Sequence, residues 1–192
     1  ILNGELPKKK ELNKFLKNEV SERNLSKNLI KIIKKMPKKS HPMDVARTAV
    51  SFMGLEDKET TDNSPEANLR KTIRIFAKTP TALAAFYRFR KGKKIIKPKK
   101  TLSFSENFFH MCFGTVPNKD IVKAFDVSLI LYAEHSFNVS TFTARTITSS
   151  LSDIHGAITG AIASLKGPLH GGANEEVMHM MGKIKKPENA LR

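Results

Sequence analysis

A chain of 192 residues that is 40% hydrophobic is long enough to bury one substantial core, so disorder is excluded as the default state. Thirty-four Lys and Arg against 18 Asp and Glu give a formal charge of +16, which favours anionic partners without choosing among nucleic acid, anionic membrane and small phosphates or carboxylates. No apolar stretch reaches the roughly 18 to 20 residues that span a bilayer, because Asp126, Glu134 and Lys166 interrupt or bound the longest candidates.

No signal-peptide pattern opens the sequence, which begins at Ile1 and stops at Arg192 just after a predicted helix, and both ends are read as cut. The single cysteine, Cys112, lies in the apolar run Phe108–Phe113. It cannot form an intrachain disulfide, and a buried small hydrophobe in a reducing compartment is the expectation.

The dominant periodicity is helical. In 25–36, Leu25, Leu29, Ile32, Ile33 and Met36 recur at i, i+4, i+7, i+8 and i+11, while Lys27, Lys31, Lys34 and Lys35 take the other face of an amphipathic helix. A second helix is predicted from Ser40–Pro42 to a stop at Gly54, and a third opens at Ser64-Pro65-Glu66. Pro80 lacks an N–H and clashes with the preceding turn, so 65–78 and 80–90 are predicted as separate helices. From Arg88 to Lys100 come eight basic residues and no acid, with Gly92 and Pro98 as breakers, the pattern of a solvated loop. Ser103 and Glu106 have the spacing of a capping box, which starts a helix over 104–113 closed by Gly114. Further apolar helices over 118–133, 139–151 and 155–166 give an all-α architecture without internal repeats.

Two segments stand out from this background. His135, Asn138 and Ser140 cluster at the junction between two helices, and His170 is held between Gly167-Pro168 and Gly171-Gly172 just before another helix. Glycines allow close backbone approach, and the free N–H groups of a helix start carry partial positive charge. A histidine there suits the role of neutral hydrogen-bond donor to a developing enolate. The same pattern also suits a turn or cap residue, or a phosphate cradle, just as His135, Asn138 and Ser140 suit plain helix capping.

Gly167-Pro168-Leu169-His170-Gly171-Gly172-Ala173-Asn174 resembles the G-P-x-H-G-x-A-N segment of citrate synthases, and His135 to Arg145 is similar to their H-x-x-N-x-S segment. The two histidines are 35 residues apart, as in bacterial members, and smaller echoes occur at Ile1–Pro7 and Glu106-Asn107-Phe108. The resemblance implies an all-α fold in which 1–168 belongs to the large helical domain and 169–192 begins a small mobile domain. It implies that His170 stabilises the enol of an acyl-CoA, that His135 binds oxaloacetate, and that Asn138 and Ser140 shape the pocket. It further implies a cytoplasmic homodimer using acyl-CoA as co-substrate, with no permanently bound cofactor, no metal, and neither nucleic acid nor membrane as partner. The 134–145 segment looks closer to bacterial 2-methylcitrate synthases than to the H-x-D-H-E form, although one methylene is worth only about 1 to 3 kcal/mol in an apolar pocket and dual use of acetyl- and propionyl-CoA fits.

After His170 the chain has Glu175, Glu176 and Glu188 but no aspartate, and no G-x-G-H segment. The family's carboxylate base is therefore expected elsewhere, and the 192 residues alone are expected to be inert. Two other readings cover parts of the sequence. A basic helical nucleic-acid-binding module would explain the charge but leaves both histidine segments without a role, and a catalytically degenerate dimerisation protein would retain the fold.

Overall fold

Local signals at helix starts account for most of the boundaries in the computed structural model, which describes residues 2–190. Ile1, the first residue of the 1–7 echo, and Leu191 and Arg192 at the other end lie outside the described residues. The helices are α1 (Lys9–Glu22), α2 (Lys27–Lys35), α3 (Pro42–Glu56), α4 (Pro65–Arg90), α5 (Phe104–Phe113), α6 (Lys119–Leu131), α7 (Val139–Thr148), α8 (Ile154–Leu165) and α9 (Gly172–Ile184). A short 3-10 turn follows at Pro187–Asn189, and no strand occurs among the described residues. The protein is all-α, as its periodicity predicts. Side-chain oxygens of Ser26, Ser64 and Asn118 accept backbone N–H groups at the starts of α2, α4 and α6. Ser103 and Glu106 form the expected reciprocal capping box on α5, which closes at Gly114 with φ of 87°.

Two expectations are corrected. Pro80 does not divide 65–90: α4 runs unbroken through it. The missing hydrogen bond and ring clash cost about 3 kcal/mol, but α4 buries residues on both sides of the proline, including Ile75, Ala77, Ala82, Ala85 and Phe86, and that shared burial outweighs the penalty. Gly54 does not stop α3, which continues to Glu56. A Cβ on Gly54 would lie 2.9 Å from the Cβ of His155, so the glycine serves the close crossing of α3 and α8.

Helix α1 shows no clear apolar periodicity in the sequence because lysines crowd it. Its inward row ends in a buried charge pair, with Arg23 donating to Glu19 at 2.7 and 2.8 Å. Arg23 also donates to the carbonyls of Lys99 and Leu102. The lysine-rich loop is thus anchored by its backbone while Lys91, Lys93, Lys94, Lys97, Lys99 and Lys100 stay exposed.

The main core joins α2, α3 and α4 through Leu29, Ile33, Val45, Ala49, Met53, Ala82, Ala85 and Phe86. A smaller cluster of Ala84, Met111 and Cys112 seats α5 on α4. Cys112 is buried as expected, and burial pushes its thiol up to about 11, leaving it protonated and inert near neutral pH. Helix α8 packs between α3 and α7 and buries Ala157 and His155. Helices α6, α7 and α9 bury no residue. No helix among the described residues is long and apolar enough to cross a membrane.

Candidate active site

The two histidine segments meet where the start of α7 lies beside the end of α8. Asn138 caps α7, its carbonyl oxygen accepting the Thr141 N–H at 2.7 Å. Two residues on, in the first turn, Ser140 is half-buried, with its hydroxyl 3.0 Å from the Ala161 carbonyl and 2.8 Å from His170 Nε2. One hydroxyl proton faces two acceptors. When it points to Ala161, His170 must donate from Nε2–H. When it turns to His170 Nε2, the ring proton sits on Nδ1 and is free to be donated elsewhere.

The turn carrying His170 is built on carbonyls at and just beyond the end of α8. Gly167 N–H donates to Ser164 O at 3.0 Å, and both His170 N–H and Gly172 N–H donate to Gly167 O, at 3.0 and 3.1 Å. A Cβ on Gly171 would lie 2.5 Å from the Leu165 carbonyl oxygen, and one on Gly172 would lie 2.9 Å from that of Gly167. The glycine pair thus serves the turn's contact with its own helix end, and that contact aims the imidazole.

His135 lies on the exposed turn between α6 and α7, edge-on to Tyr132 with ring centroids 5.6 Å apart. The Tyr132 hydroxyl donates to Asn174 Oδ1 at 3.4 Å, a second tie between the two segments. The bend that follows holds Ser136 at φ of 53°, its N–H donating to the Glu134 carboxylate. Ser140 and His170 are therefore in direct contact, Asn138 spends its carbonyl on the helix cap, and His135 stands off with an open face.

Sequence reasoning missed a buried polar junction at the opposite end of α8. His155 is 2% exposed, with Nε2 3.6 Å from Asp57 and Nδ1 3.7 Å from Asp153. Burial pushes its pKa down, and Lys71 and Arg74 add to that, against the pull of the two aspartates. Arg74 donates to Asp57 at 2.7 and 2.9 Å and to Glu59 at 2.7 Å. Arg70 and Arg74 together hold the Glu59 carboxyl down at about 2. Nothing in periodicity or spacing announces this junction, since its members come from α4, α8 and the turn after α3. Among the described residues, no three His, Cys, Asp or Glu gather in a way that could hold a metal ion.

An all-helical chain with a histidine in a glycine-bounded turn, backed by a serine from α7, defines a class that comparison with known proteins narrows. The family described as citrate synthase, C-terminal domain, matches residues 1–192. The chain is 49% identical over 190 residues to a 2-methylcitrate synthase of Mycobacterium tuberculosis, covering 99% of this chain and 48% of that protein. It is 48% identical over 190 residues to a citrate synthase of Mycolicibacterium smegmatis, covering 99% and 50%. Its fold matches the citrate synthase of Thermoplasma acidophilum, solved as a ternary complex with carboxymethyl coenzyme A and oxaloacetate, with a TM-score of 0.89 and 29% identity over 97% of this chain and 49% of that one.

The chain belongs to the citrate synthase family. It spans about half the length of the curated relatives it matches.

Proposed function

We propose that these 192 residues are part of an enzyme that condenses acetyl-CoA or propionyl-CoA with oxaloacetate and hydrolyses the resulting thioester, releasing citrate or 2-methylcitrate and CoA. The contact that carries this reading is Ser140 Oγ to His170 Nε2 at 2.8 Å, in a chain similar along its length to enzymes of both names.

Removing a proton beside a thioester carbonyl is difficult because the bare carbanion is a strong base. The site must supply a carboxylate base and a donor to the enol oxygen. With the Ser140 hydroxyl turned to Nε2, His170 presents Nδ1–H as that donor. His135 offers a ring face and nitrogen to oxaloacetate, and the Asn138 amide N–H2, left over by the cap, can join it. Residues after His170 include no aspartate, so the base and the cations that grip the substrate carboxylates are assigned to the half of the relatives' length lying outside this chain. Residues 1–168 then form the large domain, and 169–192 begin a smaller one that closes over the substrates and excludes water until condensation is complete. The apolar side chains Ile130, Leu131 and Phe142, exposed on α6 and α7, support a homodimer, and a cytoplasmic location fits the free Cys112.

Product formation by the full-length protein, with acetyl-CoA and propionyl-CoA offered separately, tests the proposal. His170→Ala should lower kcat by about 100- to 1000-fold, the loss typical of a missing donor to a developing oxyanion, with folding unchanged. Folded wild-type protein that makes no product from either donor would overturn it.

A further inference from the structure

An ion pair and a histidine–carboxylate hydrogen bond flank the Gly167–Asn174 turn, and both reach back to the start of the same distant helix. On the near shoulder, Lys166 Nζ donates to both Asp44 oxygens, at 2.7 and 2.9 Å. On the far shoulder, His41 Nε2 lies 3.1 Å from Glu175 Oε2. His41 is the cap of α3 and Asp44 stands in its first turn. These contacts join residues 122 and 134 positions apart, so neither follows from local helix geometry.

The α3 end of each pair is itself fixed. Asp44 also accepts from Arg47 at 3.1 Å, and Lys166 holds its carboxyl below the usual carboxylate range, so the pair remains charged at neutral pH. His41 Nδ1 accepts the Met43 N–H at 3.2 Å, which leaves Nε2 as the protonated nitrogen of the neutral ring and directs it to donate to Glu175. One turn further, Val45, Ala46, Ala49 and Val50 are buried, so this end of α3 is seated by the core. Among the described residues, the other side-chain hydrogen bond from α9 to the body of the protein is Tyr132 to Asn174, at 3.4 Å.

We infer that His41 and Asp44 are positioning residues: the first turn of α3 clasps the His170 turn at both shoulders and holds its imidazole where the acyl-CoA enol oxygen will develop. The inference rests on the synthase reading of His170. The His41 and Asp44 pairs are too exposed to matter much to global stability, but misplacing a reacting group by an ångström can cost about 100-fold in rate.

The test uses the full-length protein with Lys166→Met, which leaves the first turn of α3 intact, His41→Ala, and the charge exchange Asp44→Lys with Lys166→Asp. Each single variant should lower kcat by about 10- to 100-fold with little change in KM for oxaloacetate; Lys166→Met should leave the unfolding midpoint unchanged, whereas His41→Ala also removes the cap of α3 and should lower it slightly. Amide hydrogen exchange should quicken in residues 167–174, and the exchanged pair should recover most of the rate lost by Lys166→Met. Unchanged kcat and unchanged exchange would overturn the clasp while leaving the synthase reading intact. A wild-type protein without turnover would remove the synthase reading instead, and exchange in the turn would still decide whether α3 holds it.

Discussion

Helices α3 and α4 resemble α6 and α7 in carrying many apolar residues, yet the two pairs end in opposite environments. The first pair is rich in alanine at its contacts and buries six and nine residues, whereas α6 and α7 bury none and leave Ile130, Leu131 and Phe142 more than two-thirds exposed. The comparison separates two tasks. Burial is concentrated in α2, α3 and α4, while the candidate chemistry sits on α7, which packs on α8, and on the turns before α7 and after α8.

The largest effect expected from this contrast is in the dense half. Phe86 is 1% exposed within the main core, and Phe86→Ala should destabilise the chain by about 3 to 5 kcal/mol, read as a shift in denaturant midpoint. A loss below 1 kcal/mol would mean that the core repacks freely and that the contrast is weaker than it looks.

Next comes the buried junction, where pH is the lever. The folded-state pKa of His155 lies below its usual 6.5, so between those two values the unfolded chain binds more protons. The stabilisation is complete above the unfolded value and is lost as pH falls from there through the folded one. The groups facing the ring are Asp57 after α3, Asp153 at the start of α8, and Lys71 and Arg74 on α4. Unfolding free energy measured from about pH 7.5 to 5 should fall more steeply for wild type than for His155→Leu. Parallel curves would show that the buried ring carries no such linkage.

The smallest effect belongs to the open half. In the monomeric 192-residue chain, Leu131→Ala should change the stability by no more than about 0.5 kcal/mol, because the side chain is 70% exposed. A much larger loss would show α6 to be packed in solution and would erase the comparison.

Most helix starts were legible because capping is local. Ser64, and Ser103 with Glu106, sit within three residues of the N–H groups they serve, so spacing alone locates them. The failures at Pro80 and Gly54 share one cause. Both residues are poor helix formers on intrinsic grounds, and both sit in helices whose burial decides the matter, Gly54 being needed where His155 passes. For α1, the surface lysines hid an inward row completed by the buried Glu19–Arg23 pair rather than by an apolar residue. At the site, the glycine-bounded His170 and the His135 segment stood out as residue types in context. The bond between Ser140 and His170, across 30 residues, and the clasp of α3 on the turn had no signature in spacing.

By itself, then, the sequence determined the all-helical class, most helix starts and the two histidine segments, because 3.6-residue periodicity, caps and motifs are properties of neighbouring residues. Only the tertiary structure decided which apolar faces are buried, that α4 continues through its proline, that His155 lies in a buried junction, and that Ser140 meets His170. Those outcomes depend on contacts between residues distant in the chain, and their free energies exceed the local preferences that a linear reading can see.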